Sequence, residues 1–242
     1  PPTQTFTNSM VSDLGELLRQ IASDETIRVV VFQGESDLFV AHYELADIAD
    51  MIGEEPRGEE EIAALPLHIL NKLLFQIEAM PQVTLAALNG SAAGGGLEIA
   101  LSCDLRIARQ GDYVFGFPET NVGIIGGTQR LTRVVGMSRA MEMILWGRRI
   151  GLEAAQACGL IHEIFPAQDF ATAVSAYAAR LSRRAPIALR EAKRAIREGA
   201  ALSLEEGVML EQRALYRALN SSDAKTALHN WQAGQATEFQ GR

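Results

Sequence analysis

The stretch Asn89-Gly90-Ser91-Ala92-Ala93-Gly94-Gly95-Gly96-Leu97-Glu98, followed by Phe115-Gly116-Phe117-Pro118-Glu119, decides how this chain is read. It follows a strand predicted over Val83 to Leu88 and leads into a helix predicted over Gly95 to Cys103. Glycines remove side chains where a ligand must approach the backbone. A helix that starts there turns unpaired N–H groups and a partial positive charge toward that ligand. Two glutamates beside such a spot can divide acid and base work. The combination suits a reaction in which an oxyanion develops next to a carbon that gains or loses a proton.

Blander readings stand beside this one. The dinucleotide pattern GxGxxG and the P-loop ending GK[ST] are both absent, so the glycines could simply serve tight helix–strand packing. Glu98, three positions after Gly95, is expected in the first helical turn. There it either does chemistry or merely complements the helix dipole. Glu119 alone reads as an exposed loop carboxylate. Its apolar neighbours Phe115, Gly116 and Phe117 would raise its pKa and suit it to an acid's role.

The 242 residues fit one large domain or a domain with a helical appendage, and 48% hydrophobic content supports a sizeable core. A net charge of −8 argues against a general nucleic-acid binder. Cys103 and Cys158 lie in apolar helical contexts and read as buried free thiols, with no disulfide framework or CxxC metal signature. No apolar run reaches the roughly 20 residues of a membrane span. With no secretory signal in view, a cytoplasmic setting is expected.

Helices are predicted over residues 9–22, Leu45–Met51, Leu67–Met80 (with Pro66 marking its first turn), 138–146, 151–157, 169–184, 186–198, 203–219 and 222–233. Strands are predicted over Ile27–Phe32, Val83–Leu88, Leu105–Arg109, Tyr113–Phe115 and Leu160–Phe165, and residues 53–61 read as an acidic surface loop. From Thr128 onward the pattern is almost all helical. A strand-rich first half with a helix-rich tail describes an α/β core carrying a helical lid or association region.

The text NGSAAGGGLEIALSCDLRIA, then FGFPE, GGTQRLTRVVG and SRAMEMILWGRRI, resembles the crotonase family, also called the enoyl-coenzyme A hydratase/isomerase family. EAAQACGLIHEIF, APIALREAKRAIREG and LSLEEGVMLE extend the resemblance over nearly the whole chain. It implies an α/β crotonase-type spiral of ββα units over residues 1–185 and a C-terminal helical trimerisation region over 186–242. It implies an acyl-coenzyme A thioester as substrate, with coenzyme A part of the substrate and no separate cofactor. Backbone N–H groups of Tyr43 and Gly95 would hold the thioester oxygen, with Ala41, Gly94 and Gly96 lining the substrate. Glu119 would exchange the α-carbon proton, and Glu98 would position and deprotonate water.

Four departures from the family pattern stand out. The first oxyanion segment, usually AG-x-D-L, is Ala41-His42-Tyr43-Glu44-Leu45. A backbone donor at Tyr43 survives that change, but losing glycine at 42 narrows the backbone. His42 is either a newcomer to the chemistry or a surface or supporting histidine; His68, His162 and His229 show no metal-like spacing. The loop before Gly126 is about three residues short, and the Glu98–Glu119 spacing is one residue longer than expected. Pro1-Pro2-Thr3 aligns with the end of the family's first hairpin, so a preceding segment is expected. Trp231 to Gln235 lacks the basic residues that commonly hold the coenzyme's phosphates.

The expected activity is hydration of a 2-enoyl-coenzyme A by a homotrimer or dimer of trimers, without nucleic-acid or membrane partners. The alternatives are an enoyl isomerase of the same fold, or a catalytically weak acyl-coenzyme A-binding or interaction protein. Retention of both Glu98 and Glu119 favours hydration over isomerisation, and the AHYEL segment and the short loop before Gly126 are the best support for the weak binder.

Overall fold

In the computed structural model, which describes residues 5–52 and 56–242, the first six strands alternate between two sheets. Helix α1 (Asn8–Ser23) is capped by the Thr7 hydroxyl, which accepts the Met10 N–H at 3.3 Å, and buries Val11, Gly15 and Leu18. Strands β1 (Val29–Gln33) and β2 (Leu38–Val40) follow, then short helices α2 (Leu45–Ala49) and α3 (Glu59–Ala63) and the longer α4 (Ile69–Ala79). Next come β3 (Val83–Leu88), β4 (Ser91–Ala93) and α5 (Gly94–Ser102), then β5 (Leu105–Arg109) and β6 (Val114–Gly116). One 3₁₀ turn (Glu119–Val122) precedes α6 (Thr128–Val135), α7 (Met137–Leu145), β7 (Arg149–Gly151), α8 (Leu152–Ala157) and β8 (Glu163–Phe165). Helices α9 (Phe170–Ser182), α10 (Pro186–Gly199), α11 (Leu204–Leu219) and α12 (Ser222–Gln232) complete the chain.

One sheet has the order β1-β3-β5-β8 and is parallel throughout; the other, β2-β4-β6-β7, is parallel except for the last pair. Each strand pair β1–β2, β3–β4 and β5–β6 therefore adds one rung to each sheet before the chain returns through helix. This is the expected spiral of ββα units. Strand β3 is buried at all six positions, as a central parallel strand covered on both faces should be. Asn89 ties successive turns together: its buried amide accepts the Gly34 N–H at 3.0 Å and donates to the Gly34 and Ser36 carbonyls at 3.0 and 2.7 Å.

Several elements differ from expectation for local reasons. Strands β2, β4 and β7 are three residues each, too short to show a period of two in sequence. Helix α4 begins after His68, whose ring accepts the Leu70 N–H at 3.3 Å, so Pro66 lies outside its first turn. The acidic surface loop expected at residues 53–61 gives way to α3 from Glu59; residues 53–55 of it, like Pro1-Pro2-Thr3, lie outside the described residues. Leu160 and Ile161 are buried in a turn rather than in strand, which starts at Glu163. Cys103 is buried, as expected, whereas Cys158 is only half-buried.

The helical arm opens with Pro186 in the first turn of α10, where its missing N–H costs nothing. Helix α11 starts on a capping box, Ser203 with Glu206. Charged side chains fasten α10 to the core: Asp104 receives Lys193 at 2.8 Å and Arg197 at 3.0 Å, and Lys193 also donates to the Gln82 carbonyl at 3.0 Å. Buried Glu191 joins Arg194 and, across to α11, Arg217 at 2.9 Å. Buried Asp223 accepts the Gln240 and Gly241 N–H groups at 2.8 and 2.6 Å, which folds the last residues back onto α12.

Candidate active site

Strand β4 runs directly into α5, so the helix begins at the glycines themselves. Gly94 has φ +50°, a left-handed conformation that glycine adopts at little cost. The residue before it, Ala93, has no side chain able to cap, so the first N–H groups of α5, Gly95's among them, point out of the helix without an intrahelical acceptor. The Ala93 N–H donates to the Ala41 carbonyl at 3.1 Å. That bond draws the 41–43 segment alongside the helix start. A Cβ built on Gly95 would lie 3.0 Å from the Tyr43 Cβ, so the two backbones abut and a larger residue at 95 would separate them. Phe6 pairs with the same segment through the His42 carbonyl and the Glu44 N–H, both at 3.0 Å, and this pairing leaves the Tyr43 N–H aside. Gly96 packs against Val40: its added Cβ would sit 2.7 Å from the Val40 Cβ.

Glu119 reaches this glycine corner from the 3₁₀ turn after β6. A Cβ on Gly94 would strike its carboxylate, and one on Gly126 would lie 3.1 Å from Oε1. Phe115 and Phe117, fully buried, seal the strand beneath it. Burial raises the Glu119 pKa above the ordinary carboxylate range, partly opposed by its own N–H and by Arg149 and His42. Its Oε2 is buried and has no hydrogen-bond partner among the described residues. The expected effect of the apolar neighbours is therefore present.

Glu98 is the fifth residue of α5, because the helix starts at Gly94 rather than Gly95. It lies beyond the first turn, and that removes the reading in which it serves the helix dipole there. Burial also raises its pKa; Arg130 and the Gly127 N–H act in the other direction, while Glu119 and Glu78 add to the rise. Gly126 touches Glu119 and the adjacent Gly127 supports Glu98, so one glycine pair borders both carboxylates. Gly127 is itself left-handed, φ +65°, and lies against the Phe117 ring.

Two groups at this site escaped the sequence reading. Arg130, on α6, lies 3.7 Å from Glu98 and bonds Glu78 of α4 at 2.7 Å. Both are distant in sequence from the glycine run, and only the packing of α4 and α6 on α5 brings them in. Their one signal was the Arg in the GGTQRL text. His42 stands beside the corner, its Cβ 4.0 Å from the Cβ position of Gly94, with Nδ1 2.6 Å from the Tyr43 carbonyl. It is thus a neighbour of the site rather than a surface residue. A separate apolar cavity of about 440 Å³ lies between α1 and the first two strands, lined by Phe6, Met10, Leu14, Phe32, Phe39 and Val40 among others. Neither carboxylate lines it.

A ββα spiral with a glycine-started helix beside two partly buried carboxylates defines the class: an α/β protein with paired carboxylates at a glycine corner. The chain belongs to the enoyl-CoA hydratase/isomerase family, whose model matches residues 1–242. It is 37% identical over 229 residues to the enoyl-CoA isomerase/hydratase fer4 of Mycosarcoma maydis, covering 93% of this chain and 81% of that one. It is 31% identical to the 2,3-dehydroadipyl-CoA hydratase of Escherichia coli K12, covering 97% and 89%. The crystal structure of an enoyl-CoA hydratase from Bacillus anthracis superimposes with a TM-score of 0.86 at 30% identity, covering all of this chain and 93% of that one. The crotonase fold follows. No described helix is long and apolar enough to cross a membrane.

Proposed function

We propose that the protein adds water across the double bond of a 2-enoyl-coenzyme A. The thioester oxygen accepts hydrogen bonds from the Tyr43 and Gly95 N–H groups, between Ala41 and the Gly94–Gly96 backbone. Ionised Glu98 takes a proton from water as its oxygen bonds the β-carbon. Protonated Glu119 gives its proton to the α-carbon as the enolate collapses. Water is thereby consumed, and the two carboxylates end with their protonation exchanged. A developing enolate is stabilised most by donors fixed before the reaction starts, and the abutting backbones at 43 and 95 suit that need. The single observation that carries the reading is the pairing of two carboxylates, both raised by burial, around one glycine corner.

Isomerisation of a 3-enoyl-coenzyme A is the second reading. Its support is the asymmetry of the pair: Glu98 is engaged by Arg130, whereas one Glu119 oxygen has no partner among the described residues and is left to shuttle one proton. Assaying crotonyl-coenzyme A hydration alongside 3-hexenoyl-coenzyme A isomerisation separates the two. Hydration is expected to dominate; isomerisation without hydration contradicts the proposal.

Assembly as a homotrimer or dimer of trimers in a cytoplasmic setting belongs to the same proposal. Exposed Leu204, Val208, Leu215 and Leu219 along α11 support self-association.

A further inference from the structure

Arg130 is not needed by the hydration chemistry, yet its side chain is only 13% exposed. Its guanidinium is shared. Nε donates to Glu78 Oε1 at 2.7 Å, Nη1 donates to Asn71 Oδ1 at 3.0 Å, and the Phe75 ring lies 5.1 Å from the guanidinium carbon. Asn71, Phe75 and Glu78 are spaced four and three residues apart, so one face of α4 grips the cation. Glu98 is left a longer contact of 3.7 Å to Nη1. Two carboxylates thus compete for one cation in a poorly solvated place, and Glu78 holds the better geometry.

We propose that Glu78 and Arg130 form a positioning pair that sets how strongly Glu98 is held as a base. The inference rests on the reading in which Glu98 acts on water. If Arg130 served Glu98 alone, a short ion pair would keep that carboxylate ionised but weaken its pull on a proton. Without Arg130, two carboxylates would face each other and Glu98 would hold its proton further toward neutral pH. Sharing the cation places Glu98 between these limits. The other groups facing Glu98 are Glu119 from the 3₁₀ turn and the Gly127 N–H ahead of α6.

The test is the pH dependence of kcat/KM for hydration of crotonyl-coenzyme A. Glu78→Gln removes a negative charge and frees Arg130 for Glu98. Its acidic limb is expected to move to lower pH, raising activity relative to wild type on the acid side on the order of tenfold. Arg130→Gln is expected to move the same limb to higher pH. A purely structural pair would not move the limb in opposite directions. An unmoved limb in Glu78→Gln, or both limbs moving the same way, overturns the inference. If Arg130→Gln fails to fold, Glu78→Gln decides alone. Glu98→Gln separates the two levels. A fully active Glu98→Gln removes the underlying reading. An inactive Glu98→Gln with an unmoved Glu78→Gln limb removes only the pair's role.

Discussion

The glycine spine from Val83 to Gly127 and the helical arm from Pro186 to Arg242 are held in opposite ways. In the spine, β3 is buried along its whole length and α5 is buried at eight of nine positions. Position is set there by close packing, and glycines let backbones meet where any side chain would intervene. In the arm, α10, α11 and α12 each bury a single residue, Glu191, Ala214 and Asp223. Two of those three are carboxylates, bonded to arginines or to the chain's own last backbone N–H groups. The lesson is that buried charge means different things in the two regions. In the arm each buried carboxylate has its partners and acts as a fastener. In the spine Glu119 has an oxygen with no hydrogen-bond partner among the described residues, and such a group costs stability, which selection for function can offset.

That contrast breaks most visibly at Gly94. Gly94→Ala places a methyl group at φ +50° and against the Glu119 carboxylate. Displacing Glu119 should lower kcat/KM by roughly 10²–10⁴-fold, the worth of a positioned acid or base. The left-handed conformation adds about 1–2 kcal/mol of destabilisation in a denaturant titration. Wild-type turnover in this variant would mean that the corner has no part in the chemistry.

Next in size is the fastener. Glu191→Ala strips Arg194 and Arg217 of their shared partner, and both arginines are partly exposed. The cost should be about 1–3 kcal/mol, below that of a fully buried pair because solvent screens the arginines. Hydrogen exchange should quicken in α10 and α11 and stay unchanged in β3. Equal quickening in both would show that arm and spine open together.

The smallest effect has the opposite sign. Glu119→Gln should raise stability at neutral pH by about 1 kcal/mol, a modest figure because Glu119 is half-buried and partly screened. The sign follows from linkage. A folded-state pKa raised by burial means that ionised Glu119 destabilises the fold at pH above that value. The gain from glutamine is therefore present at neutral pH, and shrinks as pH falls through the raised pKa toward the unfolded one. A variant that is less stable than wild type at neutral pH would make Glu119 a fastener as well.

The spine was more legible in sequence than its surroundings. The Val83–Leu88 strand and the glycine-started helix announce themselves through an apolar run and a breaker in fixed order. Glu98 and Glu119 were legible as carboxylates near that helix start. The three-residue strands β2, β4 and β7 were not, since nothing periodic fits in three residues. Arg130 and Glu78 stayed hidden for a different reason. Their meeting is made by helix packing across 52 residues of chain, and neither belongs to the glycine run. Helices α10 and α11 were readable because their termini carry local signals, Pro186 and the Ser203–Glu206 box.

The central claim is that Glu98 and Glu119 serve one transition state at the glycine corner. Hydration of crotonyl-coenzyme A by wild type, Glu98→Gln, Glu119→Gln and the double variant tests it most directly. The account predicts a fall of roughly 10²–10⁴-fold in each single variant. The double variant should fall far short of the product of the two losses, because both groups act as a unit. Two fully active single variants, or losses that multiply, would contradict it.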